Sequence, residues 1–326
     1  MSVTLSSLAL ITLTQGTTGQ LGTASLLRPR CFMPSRSSLF PILMFLFASP
    51  LCGAQTATCT NWQFFSTGFS TAINRWGTVI GVTASPSHPT WEGFIRDSSG
   101  NFTTYNVPNS SQTWFNRRNA KGDTVGYYTD STAAVKLCPT CTHDHGFLLS
   151  GSAVLSVDYP GAQRTWLTGI NYWGTVVGNY TTPSGSTGAF RLKNGVLTSI
   201  HFPGSTSTTA SSISDTGVIV GGYSDTQGLG HGFVLQNGVY TTLDNPKADP
   251  SSGTRVDDIN SSGAIVGSYY NGPLAHSFIY INGVFKEIIV PNAIYPGVTG
   301  LNGYGDVTGT ANFYPLTYTY FTARCQ

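Results

Sequence analysis

Between Ile73 and Gly309 the chain repeats one short phrase six times, an apolar run held between two glycines four residues apart. The copies are Gly77-Thr-Val-Ile-Gly81, Gly122-Asp-Thr-Val-Gly126, Gly174-Thr-Val-Val-Gly178, Gly217-Val-Ile-Val-Gly221, Gly263-Ala-Ile-Val-Gly267 and Gly305-Asp-Val-Thr-Gly309. Three residues before each first glycine stands Asn74, Asn119, Asn171, Ser214, Asn260 or Asn302. The closing glycines lie 45, 52, 43, 46 and 42 residues apart. Self-similarity at such a period marks a repeat architecture, in which no unit buries its apolar face without its neighbours.

Each period holds four extended runs. In the third copy they are 164–170, 175–180, 188–193 and 196–202, here strands a, b, c and d. The a–b turn is Asn171-Tyr172-Trp173-Gly174, and the c–d turn is Asn194-Gly195. Asn-Gly between extended runs is the strongest short-range hairpin signal, because both residues tolerate positive φ. It recurs at Asn237-Gly238 and Asn282-Gly283, with Ser99-Gly100 and Ser150-Gly151 as weaker forms. Pro108, Pro160, Pro203, Pro246 and Pro291 follow strand d, where a residue without an N–H ends the ladder.

Strand b sets the packing. Val176 and Val177 point to opposite faces and both are apolar, as are Ile219 and Val220, and Ile265 and Val266. A strand apolar on both faces is covered on both, and the closing glycine leaves room for a neighbouring sheet. Antiparallel four-stranded units covered front and back are propeller blades; an open solenoid of parallel strands would have no place for the hairpins. The expected fold is all-β, a six-bladed β-propeller of four-stranded antiparallel blades. The sixth copy offers only one strand after Gly309, 316–323, while an orphan strand, 60–65, precedes the first copy. Pairing them would close the ring and remove its exposed edges. Cys59 and Cys325 then fall where other blades have the c–d turn, and a disulfide there would close a loop worth about 4–5 kcal/mol.

Residues 55–326 form the predicted propeller domain and residues 1–54 a signal peptide. The apolar run 39–48 follows Arg28, Arg30 and Arg36, is too short to span a bilayer, and is followed by Cys52-Gly53-Ala54, which predicts cleavage after Ala54. Translation from Met33 would give a signal of conventional length, and Ser49-Pro50-Leu51 is a poor match to a lipobox before Cys52. Removing the signal leaves 13 Lys and Arg against 14 Asp and Glu, a balance that argues against nucleic acid as partner. With 9 % charged and 12 % aromatic residues the composition suits a secreted or cell-surface β protein, with no membrane span and a monomer as the expected form. Four cysteines remain, Cys59, Cys138, Cys141 and Cys325, and in an exported protein an even number reads first as disulfides.

Ile170-Asn171-x-x-Gly174-x-Val-Val-Gly178-x-Tyr180, His231-Gly232-Phe233-x-Leu235 and Asp158-x-Pro160-Gly161-Ala162 are similar to the HAF-type extracellular repeat, named for its His-Ala-Phe signature. The histidine recurs as His145-Gly146-Phe147 and His276-Ser277-Phe278, whereas Glu92-Gly93-Phe94 and Gly188-Ala189-Phe190 lack it. The second copy departs most, carrying Arg117-Arg118 where the third has Gly169-Ile170. The resemblance spans nearly all of residues 59–326 and implies secretion and a propeller-like repeat, but no reaction, cofactor or substrate class.

In a four-stranded meander the a–b and c–d turns share one face of the disc, and the variable b–c and d–a loops share the other. Variable loops on a rigid scaffold carry binding residues. That face holds Trp91, Trp114, Tyr128, Tyr159, Trp166, Tyr180, Tyr223, Tyr269 and Tyr270, flat amphipathic rings suited to sugars or extended peptides. The tyrosines after strand b also read as inter-blade packing; Trp91, Trp114, Tyr128 and Trp166 are the candidate ligand-binding residues. Cys138-Pro139-Thr140-Cys141-Thr142-His143-Asp144-His145 places two thiols and two imidazoles close together, yet more tightly than structural zinc sites do, so a local disulfide is the simpler reading and no metal is assigned. The repeat histidines read as bonding backbone at the entrance to strand c, Asp158 and Asp244 as turn-forming residues, and Asp257-Asp258-x-Asn260 as a surface turn or a calcium cluster. No nucleophile elbow, phosphate loop or carboxylate pair is recognisable, so no catalytic residue and no cofactor is assigned. The expected function is a binding module for a glycan or an extracellular protein. The alternatives are a propeller enzyme acting on polysaccharide, as hydrolase or lyase, and a structural envelope protein.

Overall fold

Asn171 shows what the repeated turn requires. Its side-chain oxygen accepts the N–H groups of Trp173 and Thr175, closing the a–b turn, while its amide donates to the Ser214 carbonyl of the next blade. Asn119 bonds Asn171, Asn260 bonds Asn302, and Asn302 bonds Asn74 in the same way. One residue therefore shapes a turn and ties it to the neighbouring turn. Gly174 ends that turn at φ 81°, a conformation that would strain any side chain.

The computed structural model describes residues 55–66, 68–84, 90–130, 143–313 and 317–326. These residues form six antiparallel sheets, each ordered a-b-c-d. The first blade is Phe69–Ile73, Val79–Ala84, Trp91–Arg96 and Phe102–Tyr105; the second is Ser110–Arg118, Thr124–Asp130, Asp144–Ser150 and Ala153–Val157. The third is Arg164–Ile170, Val176–Thr181, Thr187–Lys193 and Val196–Ile200; the fourth is Ser207–Ile213, Ile219–Ser224, Gly230–Gln236 and Val239–Thr242. The fifth is Thr254–Ile259, Ile265–Asn271, Leu274–Ile281 and Val284–Ile288; the sixth is Tyr295–Leu301, Asp306–Phe313 and Thr317–Cys325, completed by Cys59–Phe65. The ring closes as the sequence predicts, with Cys59 opposite Cys325 in the register and the two joined by a disulfide. Gln55–Thr56 then adds a parallel strand to the outer edge of the fifth blade, beside Lys286 and Glu287, an attachment too short to leave a sequence pattern. The predicted signal peptide and the Cys138/Cys141 segment lie outside the described residues.

The core is the set of seams between blades. Val176 packs in the seam with the second blade and Val177 in the seam with the fourth. Ile219 and Val220, then Ile265 and Val266, divide likewise between successive seams. Each strand c contributes a fully buried phenylalanine, Phe94, Phe147, Phe190, Phe233, Phe278 or Phe321, and the sixth adds Tyr320. The glycine closing each phrase answers to its own blade rather than to a neighbouring sheet. A β-carbon on Gly178 would sit 2.5 Å from the Trp166 carbonyl and 2.8 Å from the Phe190 ring. Strand a carries a β-bulge in every blade, here between Leu167 and Gly169.

Candidate functional site

The bulge determines what faces the axis. The extra residue in each strand a is Thr71, Asn116, Thr168, Ser211, Asp257 or Thr299, and all six line one central cavity of about 640 Å³. Most also bond around the ring. Thr71 donates to the Phe115 carbonyl, Asn116 to Leu167, Thr168 to Ala210 and Thr299 to Ser70, each reaching the next blade. In the fourth and fifth blades Asp258 takes over that task. It accepts the Ser212 hydroxyl at 2.6 Å and the Leu301 N–H at 2.9 Å.

Arg117 closes the floor. Its guanidinium crosses the axis from the second blade to Asp258 in the fifth, the blade diametrically opposite, with Nε 3.3 Å from Oδ1. It donates to the carbonyls of Thr71, Asp257 and Thr299, in the first, fifth and sixth blades. Arg117 lines both the upper cavity and a smaller one of about 100 Å³ on the a–b turn side, so it separates the two. The second copy's departure from the repeat is thus an axial pin. Asp257-Asp258 form neither a surface turn nor an exposed cluster. Asp258 is 4 % exposed, and Asp257 pairs with Arg255 at 2.7 Å. Burial raises the Asp257 carboxyl above its ordinary range, against the opposing charges of Arg255 and Arg117.

A second set of positions stands one step outward along each strand a. Two residues before each bulge residue stand Phe69, Trp114 and Trp166 in the first three blades, and Thr209, Arg255 and Gly297 in the last three. The first three blades therefore place aromatic side chains there and the last three small or polar ones; of the six, Thr209 and Arg255 line the cavity itself. The aromatic row is continuous. Phe69 lies 5.6 Å from Trp91, Trp91 5.8 Å from Trp114, Trp114 5.8 Å from Tyr127, and Tyr127 6.3 Å from Trp166. The Trp166 indole donates to Asp144 at 3.0 Å, whereas the buried Trp114 indole nitrogen has no acceptor. Burial, reinforced by the Asp144 charge, pushes the Tyr127 hydroxyl far above its usual value.

Of the sequence candidates, Trp91, Trp114 and Trp166 come together here, and Tyr128 does not. Tyr128 points to the opposite face of strand b, stacked on His145 with centroids 5.2 Å apart. Its neighbour Tyr127 supplies the ring in the row. The repeat alignment favours Tyr128, which matches Tyr180, Tyr223 and Tyr269; adjacent strand residues face opposite sides, so only the register against Trp114 selects Tyr127. The sequence marked Arg117 only as a departure from the repeat and Asp257 as a surface turn or calcium cluster, and it gave no sign of Arg255. The usable signal was their offset from the bulge, visible once all six strands a are aligned.

The repeat histidines bond carboxylates, not backbone. His145 Nδ1 lies 3.0 Å from both oxygens of Asp158, and Nε2 lies 3.3 Å from Asp130. His231 pairs with Asp244 at 2.7 Å and His276 with Glu287 at 2.7 Å. Asp158 and Asp244 therefore clasp strand d to strand c in place of the expected turn role. Burial alone would lower both His145 and His231, but the hydrogen bond and charge of Asp158, or of Asp244, together with the second aspartate beside each, outweigh it and raise them.

No family model matches the chain, and no curated protein matches it. Solved structures do. The fucose-specific lectin from Aleuria aurantia, in a mercury-derivative form, matches at 11 % identity and TM-score 0.50, over 80 % of this chain and 96 % of the lectin. A mutant of Aleuria aurantia lectin in complex with Fucalpha1-6GlcNAc matches at 10 % identity and TM-score 0.49, over 80 % of this chain and 94 % of that one. A gluconolactonase from Xanthomonas campestris matches at 11 % identity and TM-score 0.46, over 86 % and 99 %. At such identity the likeness concerns the fold, which is a β-propeller. Among the described residues no helix is long and apolar enough to cross a membrane.

Proposed function

We propose that the chain is an exported HAF-type propeller that binds saccharide at its central mouth, with Trp91, Trp114 and Trp166 as the ring-stacking platform. The observation that carries the reading is the continuous aromatic row Phe69, Trp91, Trp114, Tyr127 and Trp166, two of whose members, Trp114 and Trp166, stand on the same strands a that send Asn116 and Thr168 into the central cavity. Flat aromatic faces suit the apolar faces of sugar rings, and a few convergent polar groups fix orientation. The Cys59–Cys325 disulfide supports an oxidising compartment and so export. Paired-carboxylate hydrolysis finds less support. Among the residues lining the upper cavity Asp257 is the one carboxylate, and it is tied to Arg255. Glycan-array binding by the secreted protein tests the proposal, run alongside Trp91→Ala and Trp114→Ala. Binding that falls about tenfold or more in the variants is expected, since aromatic stacking platforms carry much of a site's affinity. Equal signals from all three proteins would remove the platform as the site.

A further inference from the structure

The opposite face carries a second constellation, in the seam between the third and fourth blades. The residue after the buried phenylalanine of strand c is Ile95, Leu148, Val234 or Ile279 in four blades, each packed into the next seam. In the third blade that residue is Arg191. Two cavities of about 190 and 430 Å³ open there, sharing Arg191, Lys193, Thr216 and Gly217 in their walls. Arg191 Nε is buried and has no hydrogen-bond partner. Among the described residues neither Arg191 nor Lys193 meets a carboxylate, although other arginines and lysines do or lie over a ring. Asp215 also lines the smaller cavity, but its oxygens are committed to the Tyr172 N–H and the Ser261 hydroxyl, both at 2.7 Å. Over the same cavity stands Trp173, 71 % exposed, its indole pinned by donation to the Asp215 carbonyl at 3.2 Å.

A half-buried guanidinium whose Nε has no acceptor, a second cation beside it, and a fixed exposed ring ask for a ligand that brings both an anion and a flat face. We propose that this seam is a binding site for an acidic saccharide, its carboxylate or sulfate held by Arg191 and Lys193 and its ring face lying on Trp173. A guanidinium matches a planar or tetrahedral oxyanion bidentately, and the ammonium adds a point charge. Thr198, Ser199 and Thr216 in the cavity walls supply hydroxyls for ring oxygens. The volume suits a short saccharide rather than a folded partner.

Calorimetric titration of the secreted protein tests this, with trigalacturonate and a sulfated galactose trisaccharide as the two anion sources. A neutral galactose trisaccharide and polyglutamate serve as controls. The expected result is saturable binding of at least one anionic saccharide, weakened about tenfold or more by Arg191→Leu, as loss of a charge-assisted bond predicts. Lys193→Gln and Trp173→Ala should weaken it too, while Trp114→Ala leaves it unchanged, which separates this site from the mouth. Arg191→Leu installs the residue the second blade carries at Leu148, so its melting temperature should hold or rise. Absence of binding by both anionic saccharides, unchanged binding by Arg191→Leu, equal binding of polyglutamate, or a lower melting temperature for Arg191→Leu would each overturn the proposal.

Discussion

At the axis, Arg117 occupies a bulge position where the other blades carry Ala72, Gly169, Ser212, Asp258 or Gly300, and the surrounding blades supply its acceptors. In the seam between the third and fourth blades, Arg191 occupies a position that four other blades fill with an apolar side chain, and its buried Nε has no acceptor. Both residues break the repeat with the same functional group. Burying a cation is costly unless charge and hydrogen bonds replace water. At the axis Arg117 Nε, like that of Arg191, has no hydrogen-bond partner, but Asp258 supplies the opposing charge and three carbonyls accept from Nη1 and Nη2, so the departure stabilises the ring. In the seam no carboxylate among the described residues meets Arg191, and a departure that costs stability without structural return is the kind that function retains.

Three substitutions would break or sharpen that contrast. The largest effect belongs to Arg117→Leu, which would strand Asp258 and three inward carbonyls. A loss of about 3–5 kcal/mol in denaturant unfolding is expected, as for other broken buried pairs. A loss below about 1 kcal/mol would mean that water replaces the pin. Arg191→Leu should move the other way, gaining about 1 kcal/mol by removing a buried donor without an acceptor. The smallest effect is the pH dependence of the histidine clasps, which half of the blades carry and the others lack. His145 and His231 are raised above the ordinary 6.5, so the stability they contribute is complete below about pH 6.5 and is lost as pH rises through their folded values. The melting temperature should therefore fall more steeply above about pH 6.5 in the native protein than in a His145→Gln, His231→Gln variant. Parallel curves would show that the clasps contribute nothing as charged pairs.

Much of this was legible in the chain because it is written locally. The Asn-to-Gly spacing encodes a turn, two adjacent apolar residues in strand b encode burial on both faces, and a spare strand matched to a missing one encodes closure. The site was legible in part. Trp91, Trp114 and Trp166 stand out as bulky departures from the repeat, but Tyr128 and Tyr127 differ only in which face they meet. Histidine partners were equally hidden, since His145 and Asp158 lie 13 residues apart and meet only across paired strands.

What the sequence determined, then, is the unit, its number and its circular closure, since each rests on contacts within a blade or between matched ends. The tertiary structure alone decided which residues share the axis. Six bulges bring Thr71, Asn116, Thr168, Ser211, Asp257 and Thr299 to one cavity from positions spread over most of the chain. It also decided that Arg117 meets Asp258 whereas Arg191 meets no acid. Charge compensation depends on distance in space, and a repeat sequence specifies each blade without stating what stands across the ring.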